Sequence, residues 1–139
     1  MKNPNRKPHF HVTAGLIRQN GRILITKRAK GTHLEGFWEF PGGKQEKGET
    51  LKACLEREIE EELGIKIKAN RFIMSLYHDY GDKLITLHVF DCIVLQGEPN
   101  ALESQEFKWT EPVDLSKFSF SPPDKKIIEF LVDRGHDQL

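Results

Sequence analysis

The stretch from Thr50 to Gly64 constrains this chain more than any other, because it reads as a helix whose apolar face is also acidic. Thr50 is a favoured N-cap residue, neither proline nor glycine interrupts the run to Leu63, and Gly64 stands where a glycine stop is expected. At about 100° per residue, Leu51, Cys54, Leu55 and Ile59 form the apolar stripe, with Glu58 and Glu62 inside it and Glu61 at its edge. Glutamates at i and i+4 repel, and near a helix C-terminus they also face the negative end of the dipole. Each effect costs a few tenths to ~1 kcal/mol, and partial burial adds to it. Something positive belongs beside them. Three hard carboxylates on one face suit Mg²⁺, with Mn²⁺ as the alternative, since these ions keep waters and bridge phosphates. An ion pair with Arg57 or Arg28 is the competing explanation. Glu56, Glu60 and Lys52 point the other way and read as a solvated face.

Around this helix the pattern alternates. His9 to Ile17 and Arg22 to Thr26 are rich in strand formers and flank Asn20-Gly21, a strong hairpin signal, so they are expected to pair antiparallel. Gly31 to Lys47 is glycine-rich, holds one proline and lacks periodicity. It reads as a long loop with short strand pieces, and long structured loops are usually functional. Ile65 to Tyr80 and Lys83 to Leu95, around Gly81-Asp82, predict a second hairpin. Phe107 to Thr110 predicts a short strand, and Asp124 to Arg134, after Pro122-Pro123, a closing amphipathic helix. The sum is an α/β fold, a mixed sheet sandwiched between helices.

The 139 residues fit one domain over 1–139, with residues 1–8 a flexible N-terminus. Lys plus Arg equals Asp plus Glu at 21 each, so no global positive field draws in a long polyanion, and no direct DNA binding is expected. Any phosphate site must be local. Cys54 and Cys92 are too few for a disulfide framework or zinc cage and read as reduced core thiols. No signal-peptide or membrane-length apolar run occurs, which predicts a cytoplasmic protein, and no long apolar surface stretch demands a partner, which predicts a monomer. The histidines show no HxxxH spacing and receive no chemistry.

The run Gly43-Lys-Gln-Glu-Lys-Gly-Glu49-Thr-Leu-Lys-Ala-Cys-Leu-Glu-Arg57-Glu58-Ile59-Glu-Glu61-Glu62-Leu-Gly64-Ile65 matches every fixed position of the Nudix box. Seven fixed residues at fixed spacing arise by chance in far fewer than about one in a million windows at ordinary residue usage. The chain thus resembles the Nudix hydrolases, and most nearly the MutT-like branch that cleans nucleotide pools as a form of DNA repair. Trp38-Glu39-Phe40-Pro41-Gly42-Gly43, Leu24 to Ala29, Ile85-Thr86-Leu87, Gly97-Glu98-Pro99 and Pro122-Pro123-Asp124 extend the likeness over nearly the whole chain.

The resemblance implies a magnesium-dependent pyrophosphohydrolase that converts a nucleoside triphosphate to the monophosphate and pyrophosphate by attack at the internal β phosphorus. It implies metal ligation by Glu58, Glu61, Glu62 and the Gly42 carbonyl, joined by Glu103 on a loop outside the box. Arg57 would orient carboxylates, and Glu61 or Glu103 would be the general base. Arg28 and Lys44 would contact phosphate, Lys44 being nearly as well explained as a solvated lysine. Asp124 stands where relatives that act on oxidised guanine commonly carry asparagine, and related enzymes with aspartate act on oxidised purines such as 8-oxo-dGTP or on cytosine-type nucleotides, so the base stays open. Asp124 could also cap the last helix. Lys83 occupies a base-contacting position, and Tyr80 or Phe37 could stack on a base. The alternatives are a Nudix hydrolase of ADP-ribose, a diadenosine polyphosphate or coenzyme A, or a non-catalytic recognition module. Such modules usually lose box glutamates, whereas this chain retains them.

Overall fold

The computed structural model describes residues 6–104 and 106–133. In chain order its elements are β1 (His9–Gln19), β2 (Arg22–Lys27), β3 (Trp38–Glu39), α1 (Leu51–Leu63), β4 (Lys66–Asp79), β5 (Leu84–Gln96), β6 (Glu106–Thr110), a 3-10 turn (Pro112–Lys117) and α2 (Pro122–Asp133). The strands form one six-stranded mixed sheet ordered β3-β2-β1-β5-β4, with β6 on β2. At Thr26, β2 pairs with Glu39 of β3 and Phe107 of β6, so these two strands hold opposite edges of β2.

The first hairpin is narrower than its sequence suggests. Asn20 and Gly21 both take the positive φ that a tight two-residue turn requires, 54° and 78°. Yet β1 and β2 pair only at Arg18↔Ile23 and Gln19↔Arg22, and from His9 to Ile17 the partner of β1 is β5, in parallel. The other edge of β1 is taken by the glycine-rich loop. Gly15 N–H donates to the Pro41 carbonyl and Thr13 N–H to the Gly43 carbonyl, each at 2.8 Å, and Gln45 N–H donates to the His11 carbonyl at 2.9 Å. A loop satisfying a strand edge in this way must be held close, and Gly42 shows how close. A Cβ there would collide with the Thr13 carbonyl oxygen.

Side chains alternate across the sheet. Ala14, Leu16, Val89 and Leu87 face α2, packing with Ile127 and Leu131, while Gly15, Ile17, Phe90 and Cys92 face α1, packing with Leu55, Ile59 and Leu63. Ile59 is fully buried, so its truncation to alanine would cost about 2–5 kcal/mol. Cys54 and Cys92 are free and buried; burial pushes their thiols up, to about 11 and about 12. Both stay protonated at neutral pH.

Local departures from the sequence reading have physical causes. Glu56 does not belong to a solvated face: it is half-buried, and its Oε2 accepts from Ala69 N–H at 2.9 Å where the edge strand β4 bulges between Ala69 and Phe72. The last helix starts at Pro122, two residues before Asp124, because proline suits the first helical position; the expected end at Arg134 lies outside the described residues. Of the expected flexible N-terminus, residues 1–5 lie outside the described residues. Lys7 pairs with Asp79 at 2.9 Å, and the Pro8 carbonyl accepts from Leu84 N–H at 2.8 Å, which ties both to the sheet. No helix among the described residues is long and apolar enough to cross a membrane.

Candidate active site

Helix α1 places its carboxylates by being rigid at both ends. The Thr50 hydroxyl accepts from Ala53 N–H at 3.1 Å, and Gly64, at φ 70°, lets its own N–H return to the Glu60 carbonyl. The last carbonyls would otherwise be orphans. Instead Leu63 accepts from Asn100 N–H at 2.9 Å and Glu62 from Leu102 N–H at 3.1 Å, which pins the loop after β5 against the helix. That anchorage carries Glu103, exposed on the loop, within electrostatic reach of Glu58 and Glu62.

The acidic side chains differ sharply in environment. Glu61 is exposed; Glu58 is half-buried against Gly43, where a Cβ would strike its carboxylate. Glu62 is buried, 7% exposed, and its Oε1 has no hydrogen-bond partner. Burial pushes the Glu62 carboxyl up to about 8, with Glu39, Glu103 and Glu58 adding repulsion and Thr26 opposing it. Burial likewise raises Glu58, helped by Glu61 and Glu103 and opposed by Arg57.

Arg57 is the hub. Its guanidinium donates to Glu49 through Nε at 3.0 Å and Nη2 at 2.7 Å, and through Nη1 to Glu58 at 2.9 Å and Glu61 at 3.2 Å. Glu49 falls to about 2, chiefly through that bond and then through Glu46 N–H, and Arg57 rises in turn. The ion-pair alternative is therefore met in part, by Arg57 for Glu58 and Glu61. Arg28, the other candidate, pairs with Glu39 at 3.0 Å. Among the described residues no three His, Cys, Asp or Glu groups stand ready-arranged around a cation. The donor set still fits one: hard oxygens, an orphaned buried carboxylate oxygen, and mutual repulsion that only positive charge relieves.

Beside the cluster, on the α2 side of the sheet, lies a cavity of about 290 Å³. Gly42, Arg28, Lys44, Phe37, Tyr80, Lys83 and Asp124, scattered over the sequence, all line it. Lys44 sits at its edge with Nζ 4.0 Å above the Phe10 ring, and the Lys83 ammonium lies 5.8 Å from the Tyr80 ring centre. Asp124 is buried in the first turn of α2, not at its N-cap, and accepts from the Ser121 hydroxyl at 3.3 Å. Burial raises its carboxyl well above the ordinary range, Glu39 adds to the rise, and Ser121 and Arg28 oppose it. Glu39 was given no role by its sequence position. It lines the cavity between Glu62 and Asp124, repelling both, and accepts two bonds from Arg28 Nη1, at 3.0 and 3.2 Å. The only hint of it was its place in Trp38-Glu39-Phe40-Pro41, since a charge between core aromatics needs a partner. Arg28 Nε also donates to the His33 carbonyl at 2.6 Å.

The profile of the NUDIX domain matches residues 12–130, spanning both the cavity and the carboxylate helix. The chain belongs to the NUDIX family. It is 35% identical to an 8-oxo-dGTP diphosphatase of Haemophilus influenzae, over 94% of this chain and 97% of that protein. It is 31% identical to a CTP pyrophosphohydrolase of Escherichia coli, over 86% of this chain and 89% of that one. Among solved structures, a MutT protein from Methanosarcina mazei superposes with a TM-score of 0.79 at 26% identity, covering 92% of this chain and 95% of the other. The Nudix fold expected from the sequence is the fold observed.

Proposed function

We propose that this Nudix pyrophosphohydrolase cleaves a nucleoside triphosphate to the monophosphate and pyrophosphate, and that its preferred substrates carry an oxidised or otherwise modified base such as 8-oxo-guanine. The observation that carries this reading is the adjacency of a buried carboxylate with an unpartnered oxygen, Glu62, to a cavity lined by cations and rings. A divalent cation, Mg²⁺ in this reading, would be held by Glu58, Glu61, Glu62, Glu103 and the Gly42 carbonyl, and supplies neutralisation of phosphate charge and a more acidic water.

The chain's own residues do the remainder. Arg57 holds Glu58 and Glu61 in fixed directions through a planar fork, so their lone pairs need little reorganisation. Lys44 and Arg28 contact phosphate oxygens at the cavity wall. Glu61 or Glu103, both exposed and so able to meet water, takes the proton of the attacking water at the internal β phosphorus. Phe37 and Tyr80 stack on the base, with Lys83 and Asp124 at its edge. Burial favours the neutral form of the Asp124 carboxyl, and in that form it offers a donor and an acceptor together, as an amide does. The same pairing suits a cytosine edge, and the relative named a CTP pyrophosphohydrolase keeps that second reading in play.

A hydrolysis screen of 8-oxo-dGTP, dGTP, CTP and ADP-ribose with Mg²⁺ tests the proposal. Preference for a triphosphate, with monophosphate and pyrophosphate as products, is expected. Preference for ADP-ribose would overturn it, as would binding without turnover.

A further inference from the structure

One wall of the cavity, the wall that carries Gly42 and Gly43, is built where the glycine-rich loop runs along β1. Val12 and Lys44 form an antiparallel bridge there, flanked by Thr13 N–H on the Gly43 carbonyl at 2.8 Å and Gln45 N–H on the His11 carbonyl at 2.9 Å. Lys44 therefore stands opposite Val12, with Phe10 as its diagonal neighbour two places back along β1, and all three line the cavity. The Lys44 ammonium lies 4.0 Å from the centre of the Phe10 ring, well inside the ~6 Å over which a ring face attracts a cation. The Lys83 and Tyr80 pair is looser, at 5.8 Å. Phe10 is half-buried, yet it is packed in neither core cluster. Its ring face is spent on Lys44.

We propose that Phe10 is a positioning residue for the phosphate contact: its ring holds the Lys44 ammonium at the cavity wall, so that an incoming polyphosphate meets a charge already in place. The inference rests on the reading of Lys44 as a phosphate contact. The Lys44 carbonyl accepts from Arg57 Nη2 at 3.3 Å, which ties its backbone to the guanidinium that orders Glu58 and Glu61. What remains to be placed is the side chain. A lysine ammonium ends a flexible four-carbon stem, and holding that stem in advance removes an entropy cost from binding. A ring suits the task better than a carboxylate would. It attracts the ammonium without cancelling its charge, and it leaves N–H donors for phosphate oxygens. Among the described residues no carboxylate lies within ion-pair distance of Lys44, and its side chain is exposed to the ligand.

Steady-state kinetics on a nucleoside triphosphate with Mg²⁺ test the proposal, comparing wild type, Phe10→Leu, Phe10→Tyr, Lys44→Gln and the Phe10→Leu, Lys44→Gln double variant. A cation–ring contact at an exposed site corresponds to roughly 2–5-fold in a binding constant. Phe10→Leu should raise KM by about that factor with kcat little changed, while Phe10→Tyr, which keeps the ring, should hold the wild-type KM. In the Lys44→Gln background Phe10→Leu should add nothing, because the residue it acts through is gone. An unchanged KM in Phe10→Leu, an equal rise in both backgrounds, or a Phe10→Tyr variant as impaired as Phe10→Leu overturns the proposal. A second readout needs no turnover. The Lys44 ε-methylene protons lie over the ring and should resonate upfield of the other lysines in wild type and Phe10→Tyr, and rejoin them in Phe10→Leu. Their lying among the other lysines in wild type overturns the placement. An upfield shift without any triphosphate turnover separates the two claims: Phe10 then places Lys44, and the phosphate role falls.

Discussion

Replacing Glu62 by glutamine in the metal-free protein isolates the energetic consequence of burying this carboxylate. Its carboxyl has an ordinary value of 4.5 and is pushed to about 8 in the fold, chiefly by burial. A raised carboxyl contributes stability that is fully present below 4.5 and lost as pH climbs through 8, because the unfolded chain ionises first. The loss reaches ~1.4 kcal/mol per pH unit within that window and sums to about 3 kcal/mol at pH 7. Glutamine keeps the shape without the charge. In EDTA, Glu62→Gln and wild type should therefore melt together near pH 4.5, and the variant should melt roughly 10 °C higher at pH 7. Adding Mg²⁺ should raise the wild-type midpoint and leave the variant nearly unmoved. Thermal melts by circular dichroism across pH 4.5–8, with and without Mg²⁺, read both effects. A pH-independent difference, or a variant less stable than wild type at pH 7 in EDTA, would refute the reasoning.

Other substitutions separate the roles. Glu58→Gln and Glu61→Gln should each lower turnover by at least ~100-fold with the fold retained, measured by pyrophosphate release; a few-fold loss would argue against their roles. Arg57→Lys keeps the charge but cannot span Glu49, Glu58 and Glu61 with one planar fork, so turnover should fall by ~10-fold or more while the melting midpoint moves little. Gly43→Ala drives a methyl into the Glu58 carboxylate and should abolish Mg²⁺-dependent turnover, whereas Gly36→Ala, in open space but at positive φ, should cost about 1 kcal/mol of stability and spare turnover. Asp124→Asn should change the ranking of oxidised purine and cytosine triphosphates in the substrate screen; an unchanged ranking would remove Asp124 from base recognition.

Much of this was legible because it is local. The N-cap, the glycine stop and the acidic positions within the apolar stripe are set by helix periodicity, and the structure has them where the sequence puts them. The Asn20-Gly21 turn was legible for the same reason. Pairing was not, because the β1 to β5 ladder joins residues more than seventy positions apart and nothing local specifies it. Glu56 reads as a solvated residue in the sequence because its partner, Ala69 N–H, stands where β4 bulges, which nothing local to the helix specifies. Glu39 is a single charge in a short strand, and its meaning comes from Arg28, Glu62 and Asp124 meeting around one cavity. The 3-10 turn at Pro112–Lys117 was not foreseen, being too short for a periodic signal.

The central claim is that divalent cations join the clustered carboxylates to a bound polyphosphate. Anomalous diffraction from crystals grown with Mn²⁺ and a non-hydrolysable nucleoside triphosphate tests it most directly. The account predicts manganese peaks within coordination distance of Glu58 and Glu62 and of phosphate oxygens, with the base in the cavity beside Asp124. Peaks absent from the helix, with Glu58 and Glu61 still bonded to Arg57 and no ion at Glu62, would contradict it.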